Sequence, residues 1–375
     1  MNVAVVSDGM LKEGSNVRNI PFFYTSKLFS MGEVSSRNLQ EMHLLVIELE
    51  GATGEHVESL KTALAGVPDL PKLCIVSRAN RREVVQAAAF GKVEIFERDQ
   101  DLTALVRKMR DMLQPDFEAL FPETTPETTR QAFLQTVACL DEIVLAAASS
   151  RPMPVRTLAR TLHHIYSALT RDGITAWLSA VRIHHSHTYR HSMIVAGLAG
   201  TFAQTLGWSH KEQELLTLGG LMHDIGKTRI PLSILDKPGK LTPDETELVR
   251  QHTLFGRDIL KSRLEIPFEV KKMAVQHHEL LDGSGYPQGL AGDQIDTMVR
   301  VITICDVFTA MTETRSYKDA IPPRNAYADL CTMKTQLDQD LVRAFQPVVL
   351  SVDLGALNRT VESLFDKKRA TGTTG

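Results

Sequence analysis

The chain has 375 residues, of which 23% are charged, and a formal net charge of −3. This length favours two domains, and the nearly balanced charge excludes a global basic field that would attract nucleic acid. The amino-terminal residues lack the basic stretch, apolar core and cleavage site of a signal peptide. No apolar run approaches the roughly 18–20 residues that span a membrane. These features predict a soluble, cytoplasmic protein.

The four cysteines are Cys74, Cys139, Cys305 and Cys331. They are scattered and have no CxxC spacing, which argues against both a disulfide framework and a thiolate zinc site. Any bound metal must therefore be held by histidine and carboxylate.

Residues 1–113 alternate short apolar runs with helical patterns. The runs are NVAVVSD, HLLVIELE, KLCIVSR and KVEIFER, and the helical patterns include RREVVQAAAF and DLTALVRKMRDML. Such alternation is typical of a parallel sheet covered by helices. We predict a doubly wound α/β domain over residues 1–113.

The order of these elements resembles a response-regulator receiver domain, which implies a flavodoxin-like fold. A working receiver has an acidic pair after its first strand, a phosphorylated aspartate at the end of the third and a lysine after the fifth. Here Asp8 is a single acid, Glu48 stands at the phosphorylation position and Ser77 fits the hydroxyl position. Arg98 or a neighbour replaces the lysine. The resemblance therefore implies a degenerate receiver used for dimerisation or partner docking, with constitutive mimicry of phosphoaspartate by Glu48 as the alternative.

A Pro- and Thr-rich stretch, QPDFEALFPETTPETT, breaks the alternating pattern. From about residue 127 the chain is predicted to be helical, because apolar residues recur at spacings of three and four. We predict a linker and helical connector at residues 114–180, suited to a homodimer, and an all-α domain at 181–350. Residues 351–375 are predicted to form a terminal helix and a disordered tail.

Histidine and aspartate recur in five separate segments of the helical half. They are His191, His223, Asp224, His252, His277, His278 and Asp306. Neutral imidazole and carboxylate suit divalent iron, manganese, nickel, cobalt or zinc, and two adjacent cations need about seven or eight protein ligands with one carboxylate shared. The set meets that requirement.

Four segments of this half closely resemble the HD-GYP family. They are GGLMHDIGKTRIP, QHTLFGRDIL, QHHELLDGSGYPQGLAGDQI and RVITICDVFTAMTETRSYK, and they contain the family signatures HDIGK, HHE and DGSGYP in the family's order. The resemblance covers roughly residues 185–345. It implies that residues 181–350 form an HD-GYP domain that hydrolyses cyclic di-GMP, with the degenerate receiver regulating or localising it.

The resemblance also implies a ligand set. His191, His223, Asp224 and Asp306 would bind one metal ion, and Asp224, His252, His277 and His278 the other, with Asp224 as the bridge. The cofactors expected are two divalent transition-metal ions, iron or manganese first, with nickel, cobalt and zinc as alternatives. A hydroxide held between two such cations is a strong nucleophile near neutral pH. Hydrolysis would give linear pGpG, GMP or both.

Further residues are expected to contact the substrate. Lys227, one turn after the His223–Asp224 pair, is placed to contact a phosphate oxygen as charge builds up. Arg315 and Lys318 resemble additional phosphate-binding cations of the family. In the GYP loop, Gly283, Gly285 and Gly289 permit positive φ and Pro287 fixes the chain direction, so that the loop presents Tyr286 to the substrate.

The chain departs from the family at two positions near the ligands. Where some members bind a third metal ion with glutamate, this chain has His187, four residues before His191. Two metals are therefore predicted, with His187 as a further candidate ligand because residues i and i+4 share a helix face. Thr309 replaces a second aspartate three residues after Asp306, so a side chain that orients the ligands is expected to be lost.

Two alternatives to cyclic di-GMP hydrolysis stay open. One keeps the site and changes the substrate, to another cyclic dinucleotide such as 3',3'-cGAMP. The other is a catalytically weak effector that binds a nucleotide, or a partner such as a diguanylate cyclase, through the GYP loop or the receiver-like domain. The complete ligand set favours an enzyme, whereas the altered receiver and Thr309 favour the effector.

Overall fold

The computed structural model describes residues 2–352, except residues 13, 114–119, 150, 185, 236, 238 and 314–319. An α/β domain is followed by a helical region, which confirms the predicted fold class. The predicted disordered tail lies outside the described residues from position 353 onward.

The α/β domain contains one sheet of five parallel strands. They are β1 (Asn2–Ser7), β2 (Thr25–Ser30), β3 (Leu44–Glu48), β4 (Lys72–Val76) and β5 (Glu94–Glu97), in the order β2-β1-β3-β4-β5. This is the flavodoxin-like order. β3 and β4 are buried at every residue, as expected of a sheet covered on both faces. β2 is not among the predicted strands, because its edge position leaves it largely exposed and four of the six residues in its sequence, TSKLFS, are polar.

Short helices complete this domain. They are α1 (Ile20–Phe23), α2 (Ser36–Leu39), α3 (Gly54–Leu64), α4 (Arg81–Ala88) and α5 (Leu102–Leu113), with a 3-10 helix at Asn16–Asn19. Alternate strand residues point to opposite faces of the sheet. One face, with Ala4 and Val6, packs against α3 and α4. The other, with Val3 and Val5, packs against α5 in a core that continues into the helical region.

The helical region contains twelve helices among the described residues. They are α6 (Glu127–Ala148), α7 (Val155–Arg171), α8 (Gly173–Val181), α9 (His187–Thr205), α10 (His210–Met222), α11 (Leu232–Leu235), α12 (Pro243–Arg250), α13 (His252–Leu260), α14 (Phe268–Gln276), α15 (Thr297–Thr312), α16 (Pro323–Thr332) and α17 (339–352). Two 3-10 helices lie at Ile225–Arg229 and Gly292–Gln294. Helix α9 is central, and α8, α10 and α15 pack around it.

Helices α6 and α7 make up most of the predicted connector, residues 114–180. They pack against each other and against α8, and their apolar residues join the core that also contains the sheet face. Helix α6 is long and apolar enough to cross a membrane by length and composition, which the sequence analysis did not anticipate, and half of its most apolar window is buried inside the protein. A core helix of a soluble protein passes the same test.

A buried polar contact joins the two parts of the protein. Asp141 on α6 pairs with Arg110 of α5 and accepts a hydrogen bond from the Tyr189 hydroxyl at 3.0 Å. Burial raises the pKa of Asp141 to about 6, although Arg110 opposes this rise. The contact therefore links the α/β domain to α9, which also carries His191.

The degenerate receiver site is filled by charged side chains of the domain itself. Arg98 Nη2 lies 2.6 Å from Glu48 Oε1 and 2.9 Å from Glu83 Oε2. Asp8 Oδ1 lies 2.8 Å from His56 Nδ1. Each of these acids already has a basic partner within the chain.

Candidate metal centre

The seven predicted ligands converge from separate helices. His191 lies on α9, His223 and Asp224 follow α10, His252 begins α13, His277 and His278 follow α14, and Asp306 lies on α15. Six of them are buried, and His278 is partly buried. Their ligating atoms form three overlapping groups, each within 4.8 Å, namely His252–His277–His278, His191–His223–Asp306 and His223–Asp224–His277.

A glycine allows the two halves of this cluster to meet. A Cβ at Gly226 would lie 1.8 Å from the His252 carbonyl oxygen and 2.5 Å from Gly256 N. No side chain fits such a close approach of two backbones. The HDIGK segment therefore needs this glycine to bring Asp224 against the beginning of α13.

Backbone carbonyls fix the orientation of three histidines. His223 Nδ1 donates to Gly220 O at 2.8 Å, and His252 Nδ1 donates to Val249 O at 2.7 Å. His277 Nδ1 does the same to Met273 O at 3.0 Å. Because a carbonyl only accepts, each Nδ1 must carry the proton, and the neutral ring leaves a lone pair on Nε2. All three Nε2 atoms face the centre of the cluster.

Hydrogen-bond acceptor atoms therefore face one another at the centre of the cluster. His252 Nε2 lies 3.2 Å from His277 Nε2. His223 Nε2 is buried without a hydrogen-bond partner and lies 3.3 Å from Asp224 Oδ2. Lone pairs so close together repel unless a cation lies between them. The donor set thus fits divalent metal ions that prefer imidazole and carboxylate.

The two oxygens of Asp224 face different histidines. Oδ2 lies 3.3 Å from His223 Nε2 and 3.8 Å from His191 Nε2. Oδ1 lies 3.4 Å from His252 Nε2 and 3.9 Å from His277 Nε2. A carboxylate placed in this way can bridge two cations.

Charge at the centre is set by burial and by neighbouring residues. Although burial disfavours its charged form, the neighbouring Lys227 ammonium holds the pKa of Asp224 well below its usual range. Lys227 Nζ lies 2.5 Å from Asp224 Oδ2. Burial lowers the pKa of His252 to about 4 and that of His278 to about 3. These rings are therefore neutral, as metal ligands must be.

His191 differs from the other histidines because both of its ring nitrogens face carboxylates. Nε2 lies 3.0 Å from Asp306 Oδ1, and Nδ1 lies 2.9 Å from Glu313 Oε2. Burial opposes a charge on this ring, but the two hydrogen bonds prevail and raise its pKa to about 9. A metal ion would have to displace this proton from Nε2.

The GYP loop closes one side of the cluster. Glu279, the acid of the HHE motif, accepts hydrogen bonds from Gln288 N at 2.6 Å and Leu290 N at 2.9 Å. The Tyr286 ring stacks on His278 with centroids 4.7 Å apart. The loop therefore presents Tyr286 beside a predicted ligand.

Two of the three loop glycines behave as predicted. Gly283 and Gly289 have φ of +78° and +65°. The prediction for Gly285 was wrong, because it does not have positive φ. Gly285 is required instead by close packing, since a Cβ there would lie 2.4 Å from Leu280 N.

The remaining predicted site residues are Arg315, Lys318 and His187. Arg315 and Lys318 lie outside the described residues. His187 is exposed, its Nδ1 lies 2.5 Å from Arg190 Nη2, and it joins none of the three ligand groups found among the described residues.

The sequence analysis assigned no role to three residues near the cluster. Glu279 holds the GYP loop, Glu313 binds His191, and the Arg250 guanidinium lies 5.2 Å from the centroid of the Tyr286 ring. A sequence signal existed for Glu279, in the third letter of HHE. Glu313 lies seven residues after Asp306, directly after the end of α15, and no motif marks it.

Comparisons with known proteins concern this helical region. Residues 178–341 match the family model described as HD domain. A cyclic di-GMP phosphodiesterase of Pseudomonas aeruginosa is 38% identical over 49% of this chain and 45% of its own length. A cyclic di-GMP phosphodiesterase response regulator of Xanthomonas campestris is 38% identical over 37% of each chain.

A third relative is a 3'3'-cGAMP-specific phosphodiesterase of Vibrio cholerae, 36% identical over 49% of this chain and 38% of its own length. The chain thus spans less than half the length of each of these relatives. Residues 178–341 within the helical region are an HD domain, which confirms the family resemblance drawn from the motifs.

Proposed function

We propose that this chain is a metal-dependent phosphodiesterase that hydrolyses a cyclic dinucleotide, with cyclic di-GMP as the first candidate. The observation that carries the proposal is the buried cluster of acceptors, in which His252 Nε2 and His277 Nε2 lie 3.2 Å apart. Such a cluster is unfavourable without cations. The relatives named above act on cyclic dinucleotides, which supports the choice of substrate.

We assign the ligands to two subsites that share Asp224. The first subsite consists of His191, His223, Asp224 and Asp306, and the second of Asp224, His252, His277 and His278. This division is supported by the ligand groups and by the two faces of the Asp224 carboxylate. When bound, two divalent ions such as iron or manganese would supply Lewis acidity and lower the pKa of water at the site.

Other side chains would bind and orient the substrate. The Lys227 side chain is 21% exposed, and its Nζ, beside Asp224, has further N–H groups to donate to a phosphate oxygen. Tyr286 offers a ring face or its hydroxyl beside His278. Arg315 and Lys318 are proposed as further phosphate contacts from the sequence motif alone.

We propose that the chain is divided into domains as the sequence predicts. The α/β domain at 1–113 would regulate or localise the enzyme in the cytoplasm, and residues 114–180 would connect it to an HD-GYP domain at 181–350. The connector helices or the receiver-like domain would support a homodimer or the docking of a signalling protein. The continuous core between sheet and helices is suited to transmitting such an event.

A second candidate substrate is 3',3'-cGAMP, because three relatives are named as specific for it. Both dinucleotides share the phosphodiester that the centre would attack, and they differ in one base. Side-by-side turnover of the two substrates at equal concentration would identify the preferred one.

The experiment that tests the proposal combines metal analysis with turnover. Wild-type protein, purified without oxygen or chelator, is expected to hold about two metal equivalents and to hydrolyse cyclic di-GMP. Asp224→Ala removes the bridge, so turnover should fall at least about 1000-fold and metal content should fall with it.

The matched control is Asp258→Ala, because Asp258 pairs with Arg257 and Lys261 at the protein surface, away from the cluster. It should retain wild-type metal content and turnover. Bound metal without turnover of either dinucleotide under iron, manganese, nickel or zinc would overturn the enzyme proposal and favour an effector.

A further inference from the structure

We propose that Glu313 is a positioning residue for the metal centre, which holds His191 so that Nε2 is presented to the first metal subsite. The inference rests on the proposed two-metal function. Glu313 is marked by no sequence motif. Its carboxylate would take over the orienting role of the aspartate that Thr309 replaces.

Two acids hold both nitrogens of the His191 ring, one on α15 and one directly after it. Asp306 Oδ1 lies 3.0 Å from Nε2, and Glu313 Oε2 lies 2.9 Å from Nδ1. Glu313 is the residue that ends α15, where the backbone has turned from helical to extended conformation. One helix and the residue that follows it thus supply a predicted metal ligand and the carboxylate that orients its neighbour.

The partner of Nδ1 distinguishes His191 from the histidines held by backbone carbonyls. His223, His252 and His277 each donate Nδ1–H to a carbonyl three or four residues earlier in the chain. His191 instead donates to an anionic side chain. Histidine that donates to a carboxylate is a stronger metal ligand, because the carboxylate fixes the tautomer and raises the basicity of the other nitrogen.

Glu313 is itself held in place. Its Oε1 accepts a hydrogen bond from Arg190 Nε at 3.2 Å, and its backbone N–H donates to Thr309 O at 3.0 Å. The side chains of Glu313 and Arg190 are 10% and 18% exposed. The carboxylate is therefore ordered by a residue adjacent to His191 in sequence.

The geometry makes Glu313 a positioning residue and not a metal ligand. Oε2 is bound at Nδ1, on the side of the ring away from Asp306 and Asp224, and Oε1 is bound by Arg190. Among the described residues, Glu313 joins none of the groups whose ligating atoms come together.

Thr309 cannot perform this role. Its side chain is fully buried, and its hydroxyl donates to Cys305 O at 2.7 Å within its own helix. The sequence analysis expected the orienting carboxylate to be lost with Thr309. Glu313, four residues later and directly after the end of α15, supplies a carboxylate instead.

The test measures metal binding by Glu313→Gln, which keeps the size of the side chain and removes its charge. Titration of metal-free protein with Mn²⁺ should show one of the two sites weakened by about 10–100-fold, with the other unchanged. At limiting Mn²⁺, electron paramagnetic resonance should show isolated Mn²⁺ in this variant where the wild type shows a coupled pair.

Glu313→Asp keeps the charge on a shorter side chain and should bind with intermediate affinity, so the series remains informative if one variant folds poorly. The matched control is Glu83→Gln, a buried glutamate that is also bound by an arginine but lies in the α/β domain. It should bind both Mn²⁺ ions with wild-type affinity.

The outcomes separate this inference from the proposed function. If the wild type binds two Mn²⁺ ions and folded Glu313→Gln binds both equally tightly, the role of Glu313 is wrong and the two-metal centre stands. If the wild type binds no metal, the proposed function fails first. An equal loss of both sites in Glu313→Gln would also contradict a role confined to His191.

Discussion

Two regions of this protein bury carboxylates, and they neutralise them in opposite ways. In the α/β domain, Glu48 and Glu83 share one guanidinium, that of Arg98, at 2.6 and 2.9 Å. In the helical region, Asp224 and Asp306 are surrounded mainly by histidines. The first site is neutralised by a cation of its own, whereas in the second Lys227 and His191 face the carboxylates and the remaining histidines offer lone pairs to cations from outside.

The difference explains why only one of the two sites is suited to chemistry. A guanidinium stays charged under all physiological conditions, so Arg98 permanently neutralises Glu48, the residue at the phosphorylation position in the receiver resemblance. Because the rings of His252 and His278 are neutral, they do not offset the negative charge of Asp224 and Asp306. The receiver-like site is therefore a structural ion pair, and the helical site requires a ligand.

The largest effect on stability is expected from breaking the ion pair of the α/β domain. Arg98→Met would leave Glu48 and Glu83 buried without a cation, at a cost of roughly 3–5 kcal/mol in the free energy of unfolding. Urea denaturation would measure this loss. Mn²⁺ affinity of the folded protein should stay unchanged, and the triple variant Arg98→Met, Glu48→Gln, Glu83→Gln should recover much of the stability. A stable Arg98→Met single variant would contradict this account.

A smaller effect is expected from metal binding at the helical site. Mn²⁺ at a free concentration of 100 times its dissociation constant should stabilise the folded protein by about 2.7 kcal/mol for each independent site. Thermal or urea denaturation with and without chelator would measure the increase. Asp224→Ala should lose it, whereas Glu48→Gln should retain it, because Glu48 belongs to the site that already has a cation.

The smallest effect concerns the pH dependence of the metal-free protein. Burial lowers the pKa of His252 to about 4 and that of His278 to about 3, whereas unfolded histidine titrates near 6.5. Below about pH 6.5 the unfolded chain binds protons that these folded rings do not bind. Stability should therefore fall as the pH decreases from about 6.5 toward 4.

Urea denaturation in chelator at pH 7.5 and 5.5 should reveal a net loss of stability at the lower pH, because His252 and His278 each cost about 1.3 kcal/mol over this interval. Asp141 and His191 act in the opposite direction, because their pKa values are raised to about 6 and about 9 in the folded state. The variant His252→Gln should show a weaker pH dependence than the wild type. Equal stability at the two pH values in both proteins would indicate that the rings are not held neutral.

Local sequence patterns were enough to predict the fold class, several site residues and the family of the helical domain. The apolar runs of β1, β3 and β4 were sufficient to predict a parallel sheet, because strands buried on both faces must be continuously apolar. The motifs HDIGK, HHE and DGSGYP were sufficient to predict that His223, Asp224, His277 and His278 lie near one another. The HD domain match confirmed the family to which these motifs pointed.

Only the tertiary structure decided which distant side chains complete each site. The sequence did not predict β2, because an edge strand needs no alternation of apolar residues. It also did not predict how α6 and α7 pack into the shared core, because sequence patterns do not show which helix surfaces contact each other. Glu313 and Arg98 gain their roles from contacts with residues 122 and 50 positions away. Periodicity and motifs report short-range constraints, whereas the partner of a buried charge is chosen by whichever chain segments the folded core brings together.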